Sequence, residues 1–217
     1  MQQNKMHSTN IKEICQIFQS NNPHPKTELN YQNHYTLLVA IILSAQATDV
    51  GVNKATSKLF QKILTPEQML ELGLEKLKHH IKTIGLYNSK ALNVIKTSQI
   101  LVSQYNSQIP TNREELMKLP GVGRKTANVF LNCAFGQETI GVDTHVHRVS
   151  NRLGLVKSNN VLETEIQLDK KIKSPYKKDI HHWLILHGRY ICKARNPSCS
   201  QCQISKYCQY FQQNINS

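Results

Sequence analysis

Apolar residues recur along this chain at helical spacing, and nowhere do they alternate over the length of a strand. Ile11, Ile14, Cys15 and Phe18 follow an i, i+3, i+4, i+7 pattern, which lays one apolar face along a helix. The stretch NNPHPK, residues 21–26, breaks that pattern. Thr65-Pro66-Glu67 reads as a helix start, with Thr at the cap and Pro in the first helical position. Thr111 followed by Glu114 has the spacing of a capping box opening a short helix, which should end before Pro120. The expected fold class is all-α with short connections. A chain of 217 residues is long enough for one large or two small domains, each with a core.

Residues 29–48 contain no Asp, Glu, Lys or Arg and could be mistaken for a membrane span. Their apolar part is only Leu37–Leu43, whereas a spanning helix needs about 20 mostly apolar residues. A buried core helix is the expectation, and no membrane partner. The opening MQQNKMHSTN is polar and has no apolar segment behind it, so no secretory signal is expected and the reading is cytoplasmic. Charge then narrows the partner. The chain carries 27 Lys+Arg against 14 Asp+Glu, a formal net charge of +13, which suits a polyanion such as nucleic acid.

LPGVGRKTANVFLNCAFG, from Leu119 to Gly136, joins a glycine-bearing turn to a helix whose first residues are Arg124 and Lys125. Gly121 and Gly123 permit a tight turn and the close approach of another backbone, Val122 can pack inward between them, and the amides of the following helix start can face a phosphate. Ala127, Phe130, Leu131 and Ala134 keep core spacing, and Lys125, Asn128 and Asn132 are expected on a separate polar face. Two cations at a helix N-terminus oppose the helix dipole. Lys125 is therefore either a surface cation for phosphate or a nucleophile: a positive helix end beside Arg124 disfavours protonating the amine, and only the neutral amine attacks. IGLYNSKA, Ile84–Ala91, echoes PGVGRKTA, Pro120–Ala127, at an offset of 36 residues, with Ser89 in the place of Lys125.

Further along, Asp143 precedes the helical pattern Val146, Val149, Leu153. Its plain role is N-cap, and a capping carboxylate is also held rigidly enough to stabilise positive charge on a sugar or to steer a proton. His145 and His147 would point to different faces of that helix, as DNA contacts or as packing.

Of six cysteines, Cys15 and Cys133 sit singly in apolar helical patterns and read as packing residues. Cys192, Cys199, Cys202 and Cys208 follow C-x6-C-x2-C-x5-C. Structural zinc favours two close pairs, and only Cys199–Cys202 is one. The uneven gaps favour a [4Fe–4S] cube, with zinc the alternative. Lys193, Arg195 and Lys206 surround the cluster segment, and between positions 170 and 195 the only acid is Asp179, so the loop is expected to present cations to phosphates.

SAQATD (Ser44–Asp49), IGLYNSKA, LPGVGRKTAN, VDTHVHRV, HHWLILHGRYIC and the cysteine spacing together resemble endonuclease III, the helix-hairpin-helix DNA glycosylases with apurinic/apyrimidinic lyase activity. The resemblance runs from about Asn21 to Tyr210. It implies a two-domain fold: a six-helix domain over residues 27–137, with the helix-hairpin-helix at about 111–136, and a second domain from residues 1–26 and 138–217 holding a [4Fe–4S] cluster at 192–208. It implies damaged double-stranded DNA as partner of a monomer, lying across the cleft between the domains, and removal of oxidised pyrimidines followed by strand cleavage. Carried over residue by residue, Lys125 matches the nucleophile, Asp143 the catalytic carboxylate, and Cys192, Cys199, Cys202 and Cys208 the cluster ligands. Gln46 and Leu86 match the residues that fill the gap left in the duplex; Gly121, Val122, Gly123, Arg124 and His145 match DNA-contacting positions. Two alternatives are weighed. A related adenine mispair glycosylase lacks the hairpin lysine and usually carries an extra C-terminal domain, whereas here nine residues follow Cys208. A non-catalytic helix-hairpin-helix DNA-binding protein would need the turn and the basic surface but not Lys125 with Asp143.

Overall fold

In the computed structural model the described residues run from Ser8 to Ile215. The polar opening MQQNKMH, read above as lacking a secretory signal, lies outside them. Among the described residues every regular element is helical, and the chain divides into two units. One spans Thr27–Gln137; the other joins the residues up to Lys26 with those from Glu138 onward.

The continuous unit is built around α2 (His34–Ser44), in which Tyr35 to Leu43 are all buried. A helix apolar on every side has to lie inside a core, which explains the uncharged stretch seen in the sequence. Asn33 caps it, accepting from the Thr36 amide, while the Thr36 hydroxyl accepts from the Asn33 amide. Around it pack α3 (Asp49–Thr56), α6 (Tyr87–Tyr105) and α8 (Arg124–Phe135). α4 (Pro66–Leu72) and α5 (Leu74–Ile81) lie against α6, and α7 (Arg113–Leu116) is a single turn packed on α8. Thr65 caps α4 with Pro66 in its first turn, as its sequence predicts, and Gln68 closes the capping box. Counted this way the unit has seven helical segments, because Gly73 at φ 79° separates α4 from α5.

Two local expectations change. The cap of α7 is Asn112, not Thr111: its side chain accepts from the Glu115 amide at 2.9 Å. The Thr111 carbonyl instead accepts from Gln137. Nor do Asn128 and Asn132 form an exposed polar face with Lys125; they are 1% and 3% exposed. The Asn132 amide donates to the Gln137 carbonyl and helps finish α8, which ends at Gly136 with φ 64°.

The discontinuous unit contains α1 (Ser8–Asn21), α9 (Thr144–Leu153), α10 (Val161–Lys171), α11 (Ile180–Tyr190) and α12 (Gln209–Ile215). Ile14, Cys15 and Phe18 of α1 share a core with Val146, Val149 and Leu153 of α9 and with Trp183 and Leu184 of α11. Phe18 stacks on Trp183, whose indole N–H donates to the Asn22 carbonyl at 2.9 Å. The two lone cysteines are packing residues: Cys15 is buried, Cys133 packs on the other core, and burial pushes both thiols up to about 12. No described helix is long and apolar enough to cross a membrane.

Candidate functional site

The glycine turn is braced from beneath. Gly121 has φ 82°, and a Cβ there would come within 3.0 Å of Asn93 and 3.1 Å of Ile42. Thr97 of α6 donates its hydroxyl to the Pro120 carbonyl at 3.0 Å. Val122 is buried, and its amide donates to Leu119, so this residue holds the turn from inside. Gly123 differs from both. Its φ of −88° suits any residue, and nothing lies within 4 Å of where a Cβ would sit. No side chain caps the helix that follows. Neither backbone strain nor internal packing requires glycine at 123; the open space over an uncapped helix start does suit an approaching anion. Lys125 is exposed on the first turn of α8, with no hydrogen-bond or ion-pair partner among the described residues.

Gln46 and Leu86 occupy two loops of the same unit. Both adopt left-handed backbone, φ 54° and 60°, a conformation that costs a non-glycine residue about 1–2 kcal/mol. Both are exposed, Leu86 by 62%. The loops are neighbours: a Cβ on Gly85 would lie 4.0 Å from the Gln46 carbonyl oxygen. The continuous unit thus brings together two strained residues that aim their side chains at solvent.

In the discontinuous unit, Asp143 is the N-cap of α9, and its carboxylate accepts from the amides of His145 and Val146, each at 2.9 Å. His145 and His147 part company as expected. His147 is drawn to α10, its Nδ1 2.7 Å from the Thr164 hydroxyl, and is structural. His145 is half-buried beside Gly188, with its Nδ1 3.3 Å from the Arg148 guanidinium.

The four clustered cysteines line one pocket and none is in a disulfide. Burial, followed by the charges of Cys208, Cys192 and Cys199, pushes the Cys202 thiol up to about 11. Four thiolates so placed need positive metal to offset them. Four soft thiolate donors lining one pocket suit an iron–sulfur centre.

Two arginines escaped sequence reading, although they stand one helical turn apart on α9. Arg148 donates to the carbonyls of Gly188 and Cys192, and Arg152 to those of Lys193 and Ala194 at 2.7 and 3.0 Å, with its guanidinium over the Tyr210 ring. Gly188 makes this possible: a Cβ there would come within 3.0–3.3 Å of His145, Val149 and Arg148, so α9 and α11 approach closely enough for the arginines to reach the cysteine loop.

Comparison with known proteins agrees with this construction. Residues 39–178 match the HhH-GPD superfamily of base excision DNA repair proteins, and residues 192–208 the iron-sulfur binding domain of endonuclease III. Endonuclease III of Rickettsia prowazekii (strain Madrid E) is 57% identical over 201 residues, 93% of this chain and 95% of that protein. That of Escherichia coli (strain K12) is 57% identical over 198 residues, 91% and 94% of the two chains. A trapped covalent endonuclease III–DNA intermediate superimposes with a TM-score of 0.89 at 43% identity, covering 96% of this chain and 99% of that one. A non-covalent endonuclease III–DNA complex gives 0.90 at 42% identity, covering 97% and 99%. The chain belongs to the endonuclease III family of the HhH-GPD superfamily.

Proposed function

We propose that the protein is a base excision repair enzyme, a DNA glycosylase for oxidised pyrimidines with abasic-site lyase activity, acting as a cytoplasmic monomer on damaged double-stranded DNA. Membership of the endonuclease III family supports this reading. The single structural observation that carries it is Lys125: an exposed amine without a partner among the described residues, on the first turn of a helix that opens at the unobstructed Gly123.

The steps follow from the residues in hand. The Gly121–Gly123 turn and the start of α8, with Arg124, hold a backbone phosphate beside the lesion; His145 adds a contact. Gln46 and Leu86 enter the duplex as the damaged nucleotide flips out, at a cost of a few kcal/mol that damage reduces. Deprotonated Lys125 attacks the sugar C1′. The glycosidic C–N bond breaks, and the base leaves with its electron pair and takes up a proton. Loss of the amine proton and ring opening give a Schiff base between Lys125 and C1′. That cation acidifies C2′–H; removal of the proton and departure of the 3′ phosphate by β-elimination cut the strand, and hydrolysis of the imine frees the lysine. Asp143, fixed by its two capping bonds, stabilises cationic character on the sugar and assists proton transfer. Cys192, Cys199, Cys202 and Cys208 hold the [4Fe–4S] cluster, which when bound ties the loop into one scaffold presenting Lys193 and Arg195 to phosphate.

Borohydride trapping on a duplex with one oxidised pyrimidine tests the reading. The expected result is a covalent protein–DNA adduct that Lys125→Ala abolishes. An adduct that persists in that variant overturns the assignment. Base release with no adduct in the unaltered protein favours the adenine-glycosylase reading, and tight binding with neither favours a non-catalytic DNA-binding protein.

A further inference from the structure

His187 touches the cysteine loop in a way the repair chemistry does not use. Its Nε2 lies 3.7 Å from Cys202 Sγ, within the range for a hydrogen bond to sulfur. The ring packs against one neighbour, and the backbone that carries it is pinned. Its edge meets Phe18 at a centroid distance of 5.5 Å, and the His187 carbonyl accepts from the amides of Ile191 and Cys192 at 3.0 and 2.7 Å. The imidazole is thus anchored at the end of α11 where the cysteine loop begins. Cys202 is also the cysteine that borders a second, mostly apolar pocket of about 420 Å³, which His187, Phe18 and Trp183 help to line.

We propose that His187 donates an Nε2–H hydrogen bond to the Cys202 corner of the cluster and so sets its reduction potential. A thiolate bound to iron has only lone pairs to offer, so the ring must be the donor. Hydrogen bonds to cluster sulfurs and exposure to solvent are two levers that raise or lower the potential. Both converge on Cys202, which has His187 as a neighbouring donor and borders the open pocket that His187 helps to line. Arg152 also donates to a sulfur, its Nη1 3.6 Å from Cys192 Sγ while binding the Lys193 carbonyl, and Nη2 holds the Ala194 carbonyl; it acts at a different corner and clamps the loop as well, and His187→Phe leaves it in place. The rival explanation makes His187 a packing ring, in which case a phenyl group would serve as well.

The inference rests on the cluster assignment but not on the roles of Lys125 and Asp143. In His187→Phe, which keeps a ring against Phe18 and removes the N–H, iron content should be unchanged, the cluster's one-electron potential should move negative, and its iron–thiolate stretch in resonance Raman should rise. In His187→Gln, which keeps a donor, both should return toward the unaltered protein. An intact cluster in His187→Phe with unmoved potential and stretch overturns the proposal. The unaltered protein grown with 15N-histidine gives an answer that does not depend on any variant folding. Pulsed EPR of the reduced cluster should show a weak ring-nitrogen coupling, and its absence overturns the proposal equally. Protein purified without iron would sink the cluster assignment instead, a distinguishable failure.

Discussion

The starts of α6 and α8 follow the same sequence pattern and end up presenting opposite surfaces. Ile84–Ala91 aligns with Pro120–Ala127, so Gly85 pairs with Gly121 and Leu86 with Val122. Neither helix has a side-chain cap. In the hairpin the left-handed residue is Gly121, and Val122 turns inward to 5% exposure. In the echo the left-handed residue falls one position later, on Leu86, which is 62% exposed. A one-residue displacement of the positive-φ position turns a brace into a wedge. The hairpin then adds Gly123, Arg124 and Lys125 where the echo has Tyr87, Asn88 and Ser89. Under the proposed function, one turn receives a backbone and its phosphates; the other pushes an apolar side chain outward.

The largest effect that would sharpen this contrast is the loss of Lys125. Lys125→Ala should lower strand cleavage by about 10⁴-fold or more, the scale on which single members of catalytic constellations fail. Lys125→Arg should lower it as far while keeping the charge, and therefore DNA affinity. Gel assays of cleavage beside filter binding separate the two. Cleavage surviving in the arginine variant would make Lys125 a phosphate contact, and the two turns would then differ only in degree. Next comes Asp143. Asp143→Asn keeps a side-chain oxygen for the His145 and Val146 amides, so melting should change little while turnover falls by about 10²–10⁴-fold. Asp143→Ala should lose turnover and also about 1 kcal/mol of stability. If the asparagine variant turns over normally, Asp143 is a cap and nothing more.

What the sequence revealed and concealed divides along a physical line. Thr65 and Asp143 could be read as caps because a cap is a bond between near neighbours in sequence. Ala127, Phe130 and Leu131 could be read as core because periodicity reports burial directly. The buried positions of Asn128 and Asn132 could not, since a polar side chain faces inward only when a partner is folded onto it, here the Gln137 carbonyl just beyond the end of the helix for Asn132. The left-handed backbone of Gln46 and Leu86 leaves no trace in residue type. Arg148, Arg152 and His187 reach the cysteine loop across 15 to 44 residues of chain. The cysteine spacing announced a metal centre but not the groups that steady it.

The two hairpin glycines should respond differently to the same added methyl. Gly121→Ala forces a Cβ into left-handed backbone against Asn93 and Ile42, and should cost about 1–2 kcal/mol or more in a urea melt. Gly123→Ala meets no neighbour and needs no unusual φ. Its melt should shift by less than about 1 kcal/mol, while affinity for duplex DNA falls about tenfold, roughly 1.4 kcal/mol. Equal affinity in Gly123→Ala and the unaltered protein would remove the reason given for glycine there.

The smallest effect has the most telling sign. Leu86→Gly relieves a left-handed leucine that buries little of its surface, and should raise stability. Glycine's greater freedom in the unfolded chain offsets part of that gain, leaving less than about 1 kcal/mol. The same variant should turn over a lesion in paired DNA more slowly, yet cleave an unpaired abasic strand at the normal rate, because only the duplex has a gap to fill. Stability and function would then move in opposite directions at one residue, as expected where strain is kept for work on a ligand. A Leu86→Gly protein that melts earlier would show instead that the leucine packs its own fold, and the two helix starts would differ in sequence but not in purpose.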